Sequence, residues 1–142
     1  LTVSVWVNPT SLVNDPAPFS KRDIAYQVTL GSDGTAYGLG SSDGTAGPGL
    51  IVVNTSAGAV VTGAWQMVKL IYAGTVFAVK VDDDSPASLP FSADLFDSNE
   101  PFEVGAWASG TEQPLNGGMR RLRLWKRALS AAQLTKVFND GY

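Results

Sequence analysis

The chain has no cysteine, no histidine and only three glutamates among its 142 residues. Without cysteine it can form no disulfide, no thiolate metal site and no thiol nucleophile. Without histidine it lacks the commonest general base and transition-metal ligand near neutral pH, so a Ser-His-Asp triad is impossible. Charge is also scarce: Asp, Glu, Lys and Arg make up 16% of residues, against roughly 25% in ordinary globular chains. The net charge of −3 argues against nucleic acid as a partner. No apolar run approaches the ~20 residues that span a bilayer. The longest candidate, residues 49–61, is interrupted by Asn54, Thr55, Ser56 and Gly58. Membrane insertion is therefore not expected.

What is present suits short strands joined by tight turns, with 15 Gly and 8 Pro in a chain 44% hydrophobic. The length suits one domain with a real core. Val3, Val5 and Val7 alternate from Thr2 to Val7, which predicts a strand that Asn8-Pro9 ends. The segment 10–22, holding Asn14, Asp15, Pro16 and Pro18, reads as a loop. A second strand follows, with Ile24, Tyr26, Val28 and Leu30 on one face. Ser32-Asp33-Gly34-Thr35 and Ser42-Asp43-Gly44-Thr45 repeat one hairpin signal, since Asp-Gly supplies positive φ angles. Further strands are expected around Tyr37–Leu39, Leu50–Asn54, Trp65–Tyr72, Thr75–Val81, Phe102–Trp107 and Met119–Trp125. Only then does a helical spacing appear. Ser130 and Gln133 fit a capping box, and Leu134, Val137 and Phe138 form an apolar stripe. Some nine strands and one short C-terminal helix make an all-β, antiparallel two-sheet jelly-roll sandwich the expected fold.

Four blocks carry a family resemblance. Leu1-Thr2-Val3-Ser4-Val5-Trp6-Val7-Asn8-Pro9 resembles an early strand of the laminin-G-like and pentraxin-like domains of the concanavalin A-like lectin/glucanase superfamily. Gly63-Ala64-Trp65-Gln66-Met67-Val68 is similar to their Gly-x-Trp-His-His-Val block, with Gln66 and Met67 in place of the His pair. Val79-Lys80-Val81-Asp82-Asp83 resembles their Tyr-Val-Asp-Gly hairpin without its Gly, and Gly117 to Leu134 resembles the closing strand and helix turn. In that ending Arg120 and Arg121 replace an acidic pair and Lys126 replaces Asn. The resemblance implies one domain over residues 1–142. It also implies a first strand before Leu1, either missing or lent by a partner. The chain opens without Met or a signal peptide, and so reads as a fragment, a processed chain or one domain of a longer protein.

Related glucanases place two Glu around an Asp on one strand, because glycoside hydrolysis needs two carboxylates across the scissile bond. Glu100, Glu103 and Glu112 do not make that pattern, and Asp94, Asp97 and Glu100 sit in loop-like sequence. No catalytic residue is expected and the chain is read as a non-enzyme. Asp82-Asp83-Asp84 could suggest calcium, but consecutive strand residues point to opposite sides, and Asp is favoured in hairpin turns. No metal site or cofactor is expected.

Five of the ten basic residues fall at Arg120, Arg121, Arg123, Lys126 and Arg127. This stripe could grip an anionic glycan or a neighbouring subunit, or shield an edge strand. Trp6 and Trp125 lie opposite the apolar faces of their strands, and Trp107 sits among small residues at a strand end. Aromatic faces of this kind stack on sugar rings, although Trp is more often buried. The candidate binding residues are therefore Trp107, Trp6, Trp125, Arg121 and Arg123, with segments 10–22 and 106–115 as recognition loops. The expected function is a non-catalytic binding or adhesion module for a glycan or protein, extracellular or on a cell or virion surface. The other reading is a structural or decoration subunit that forms a homo-oligomer or joins a larger assembly such as a viral capsid or tail.

Overall fold

The computed structural model describes residues 1–21, 24–107 and 112–140. In these it holds ten strands and one helix: β1 (Thr2–Pro9), β2 (Phe19–Lys21), β3 (Tyr26–Leu30), β4 (Ala36–Ser41), β5 (Leu50–Asn54), β6 (Gln66–Tyr72), β7 (Val76–Val81), β8 (Ala87–Pro90), β9 (Phe102–Val104), β10 (Gly117–Trp125) and α1 (Ala131–Asn139). They form two five-stranded sheets, β10-β1-β6-β7-β8 (sheet A) and β5-β4-β3-β2-β9 (sheet B). Every pairing is antiparallel. The all-β two-sheet sandwich with one C-terminal helix is thus the observed fold.

The core follows from the alternation. Val3, Val5 and Val7 of β1 and Val68, Leu70, Phe77 and Val79 of β6 and β7 meet Phe19, Val28, Leu30 and Val53 from sheet B. Opposite the bulk of sheet A, β4 turns Gly38 and Gly40 inward. A Cβ on Gly38 would lie 2.8 Å from Leu70 Cδ1, and one on Gly40 would lie 2.8 Å from Phe77 Cε2. These glycines leave room for the aromatic and leucine side chains of the facing sheet.

Both Asp-Gly signals are turns, with φ of 82° at Gly34 and 77° at Gly44. The hairpin after β7 lacks the family's glycine, and Asp82 takes the left-handed conformation there instead, at φ 48°. Its carboxylate accepts the Met67 amide at 2.7 Å, which holds the turn against β6.

Three expectations need correction. Residues 19–21, expected within a loop, form β2 and bridge β3 to β9; the flanking prolines hide a strand only three residues long. β8, an edge strand ending at Pro90, was not expected at all. The strand expected over Phe102–Trp107 stops at Val104, because Gly105 turns at φ 77°.

Ser130 and Gln133 complete the capping box in both directions. Arg127 donates to the same Gln133 Oε1 at 2.9 Å, and the Leu129 amide donates to Thr2 Oγ1 at 3.0 Å. These bonds lay α1 across the outer face of sheet A. No described helix is long and apolar enough to cross a membrane.

Candidate functional site

Each sheet has an outer face, and the two differ. On sheet A, Thr2, Ser4 and Trp6 of β1 point outward, with Ile71, Lys69 and Met67 beside them on β6 and Trp125, Arg123 and Arg120 on β10. Helix α1 covers the middle of this face. The ring of Phe138 stacks on Trp6 at 5.4 Å and 21°, and Arg120 lies 5.6 Å from Trp6 and 4.2 Å from Trp65. Lys69 Nζ sits 5.0 Å from the Phe138 ring and donates to the Asp82 carbonyl. Two cations and three rings therefore form one continuous row from Trp65 through Arg120, Trp6 and Phe138 to Lys69, in which each cation lies over at least one ring, a packing that favours both partners. Burial pushes the Lys69 ammonium down to about 8, helped by the like charge of Lys80.

Trp6, a candidate ligand contact on sequence grounds, is 1% exposed. It does lie opposite the valine face, but that side is roofed by α1, so its ring has no free face for a ligand. Trp125 and Arg123 remain together at the margin of the helix, opposite Thr2 and Ser4. Arg121 leaves them. It occupies a bulge, at φ 53°, that places two β10 residues opposite Val5. Its guanidinium donates to the Asp140 carbonyl at 2.6 Å. The same bulge resets the alternation so that Arg120 and Arg123 share one face, although they are three residues apart.

Trp107 belongs to the other side of the molecule. It is half-buried and exchanges two backbone bonds with Glu112, at 2.9 and 3.1 Å, in the β9–β10 connection. Residues 108–111 of the expected recognition loop lie outside the described residues, as does Arg22 of the other. Sheet B carries no helix among the described residues. Outward from it point Val52 and Asn54 (β5), Tyr37 and Leu39 (β4), Gln27 and Thr29 (β3), Ser20 (β2) and Glu103 (β9). Val52 is 39% exposed, Tyr37 and Leu39 are half-buried, and Asn54 is exposed. Towards β2 the face meets the β9–β10 connection: Ser20 Oγ lies 3.5 Å from Glu103 Oε2 and 3.4 Å from the Ala106 carbonyl. Among the described residues, the buried Gln27 Oε1 and Trp107 Nε1 have no hydrogen-bond partner. Sequence reasoning missed this face because Gln27, Tyr37 and Leu39 look like ordinary outward strand positions; only pairing places them side by side.

The loops at one end of the sandwich enclose two clefts. One, of about 550 Å³, lies between residues 54–59 and 84–87. The other, of about 470 Å³, takes Ser11, Leu12 and Val13 from the first expected recognition loop, facing Asp33 and Val60. The Asp82–Asp84 run is spent on structure: Asp83 pairs with Lys80 at 3.1 Å and accepts from Thr135 at 3.1 Å. The Lys80 hydrogen bond, with that from Thr135, holds the Asp83 carboxyl below the usual carboxylate range. Among the described residues no group of three or more acidic side chains is placed to hold a metal ion.

A two-sheet antiparallel sandwich closed by a strand and a capped helix now stands beside a family model that matches residues 1–135, that of the laminin-G type 3 domains. This chain belongs to the concanavalin A-like lectin/glucanases superfamily. A search of curated proteins finds no match. Among solved structures, the domain is similar to a candidate carbohydrate-binding protein from Bacteroides ovatus, with TM-score 0.76 and 20% identity over 96% of this chain and 40% of that one. It is similar to the CBM40 of the Ruminococcus gnavus IT-sialidase bound to α2,3-sialyllactose, with TM-score 0.76 and 17% identity over 96% of this chain and 81% of that one. It also resembles the heptameric SAP-like pentraxin of Limulus polyphemus, with TM-score 0.67 and 19% identity over 96% and 68%. At these identities the likeness is one of fold, and the chain spans less than half of the Bacteroides protein.

Proposed function

We propose that this domain is a non-catalytic glycan-binding module of an extracellular, cell-surface or virion-surface protein, and that it holds its ligand on the outer face of sheet B. One observation carries the reading: α1 closes the outer face of sheet A and leaves the β4 and β5 side of sheet B's outer face open. There Tyr37, Leu39 and Val52 offer a strip for the apolar faces of sugar rings, next to the exposed amide of Asn54, while Gln27, Thr29 and Ser20 further along the sheet are buried. The open strip spans β5 and β4, ~5 Å apart at the usual strand spacing, enough for the apolar face of one sugar ring. Glu103 is the one carboxylate among the described outward residues of the sheet, whereas glycoside hydrolysis takes two. The sialyllactose-bound neighbour supports the ligand class. The test is a glycan array followed by calorimetry on the best ligand. Tyr37→Ala is expected to weaken binding at least about tenfold, the loss of one stacking contact, without lowering Tm. Binding indifferent to Tyr37→Ala, or no binding to any glycan, overturns the assignment.

One observation favours an assembly role. Val104 and Leu124 register with the core-facing Phe19 and Val3, yet are 52% and 45% exposed on the β9 and β10 edges. A stable oligomer by light scattering, indifferent to every glycan, would establish that reading in place of the first.

A further inference from the structure

We propose that the cleft between the end of β10 and α1 is a binding site separate from sheet B, and that it takes one acidic sugar residue bearing a carboxylate or sulfate. The cleft has a volume of about 190 Å³ and is lined by Trp125, Arg127 and Leu129 from the strand side and Gln133, Lys136, Val137 and Asp140 from the helix. The helical residues fall at i, i+3, i+4 and i+7, so one stripe of α1 forms one wall. Drug-sized sites run from ~300 to 1,000 Å³, so this cleft suits a single ring.

Its chemistry is that of an amphipathic anion. Trp125 is half-buried and supplies an indole for the apolar face of a ring, with Leu129 and Val137 as floor. Arg127 gives one bond to Gln133 and Lys136 one to Asp140 Oδ2 at 3.0 Å, which leaves donors on both for a ligand. Arg123 stands two residues from Trp125 on the same outward face and makes no hydrogen bond or ion pair among the described residues. Arg127 and Lys136 line the cleft, Arg123 stands beside it and Arg121 reaches the Asp140 carbonyl, while Asp140 is the one carboxylate among the described lining residues, in a molecule whose net charge is −3. Such a concentration attracts an anion, and guanidinium forks match carboxylate and sulfate oxygens. A neutral sugar gains only the indole here, and inorganic sulfate gains only the charges; a charged ring gains both.

The experiment titrates the intact chain with a glucuronate-terminated disaccharide, its neutral carboxyl-reduced counterpart and inorganic sulfate, followed by NMR and calorimetry. The uronate is expected to saturate, to shift the Trp125 indole resonance and to weaken as salt rises. Arg123→Ala and Arg127→Lys should each weaken it about tenfold, the loss of one charge-assisted bond, while Tyr37→Ala leaves it unchanged. Trp125→Phe keeps a ring if Trp125→Ala fails to fold. Equal binding of the neutral disaccharide, equal binding of sulfate alone, or indifference to Arg123→Ala overturns the proposal. Because Tyr37→Ala reports only on sheet B, the two sites can fail independently.

Discussion

On sheet A, Trp6, Met67 and Lys69 point outward and are 1%, 1% and 0% exposed, as buried as any core residue. On sheet B, Tyr37, Leu39 and Val52 also point outward and keep access to solvent. The strands that carry them obey the same alternation, so pattern alone does not separate the two faces. The difference is nine residues of helix. Where α1 lies, an outward position becomes a second core built of rings and cations; on β4 and β5 of sheet B the outward positions stay a surface, although Gln27, Thr29 and Ser20 on β3 and β2 are buried. Most of the basic residues lie on the covered side: Lys69, Lys80, Arg120, Arg121, Arg123, Arg127 and Lys136 gather around sheet A and its helix, with Asp82, Asp83 and Asp140 among them, while Lys21 and Glu103 stand on β2 and β9 of sheet B.

The most direct way to break this contrast is to remove the ring beneath the helix. Trp6→Ala should cost about 3–5 kcal/mol, the range for deleting a buried large aromatic, and should expose α1 to hydrogen exchange before the sheets open. If Tm is unchanged, the covered face is not a core. Tyr37→Ala, the outward aromatic of sheet B, should by contrast alter stability by no more than about 0.5 kcal/mol.

Lys69 sharpens the comparison through pH. Its folded-state pKa, about 8, lies below the 10.5 of an unperturbed lysine. Between those values the unfolded chain holds more protons than the folded one, so stability rises with pH, by ~3 kcal/mol from this group across the whole window. Below about 8 both states are charged and the cost is constant. Urea midpoints at pH 7, 8 and 9 should climb for the wild type. For Lys69→Met the climb should be much reduced, with stability at pH 7 equal or higher, since an apolar side chain of similar length carries no buried charge.

Gly38→Ala tests the inner side of the same sheets. Its new Cβ would approach Leu70 at 2.8 Å and Val79 Cβ at 3.1 Å, and overpacking of this kind costs ~1–3 kcal/mol. A smaller effect is expected at the helix start. Ser130→Ala should lose about 1 kcal/mol, seen as earlier exchange of the α1 amides rather than a fall in the midpoint of the sheets.

Much of the fold is legible in residue order. Val3-x-Val5-x-Val7, the two Asp-Gly turns and the Ser130/Gln133 capping box are local patterns with local causes, and each forms the element it suggests. β2 and β8 escape because three- and four-residue strands beside prolines carry too little alternation to read. The bulge at Arg121 escapes because nothing in a run of arginines marks which one takes the left-handed turn. Candidate sites fare unevenly for the same reason. Trp125 and Arg123 stay neighbours because one strand carries both, whereas Trp6 passes under a helix 125 residues away in the chain.

Strand periods, turn chemistry and the helix cap were therefore determined by the sequence, since each depends on residues within a few positions of one another. Which outward face is covered, which arginines share a side, and that Tyr37, Leu39 and Val52 become one surface were decided only by tertiary structure. Those facts depend on long-range pairing and on where α1 comes to rest, which no local stretch of residues encodes.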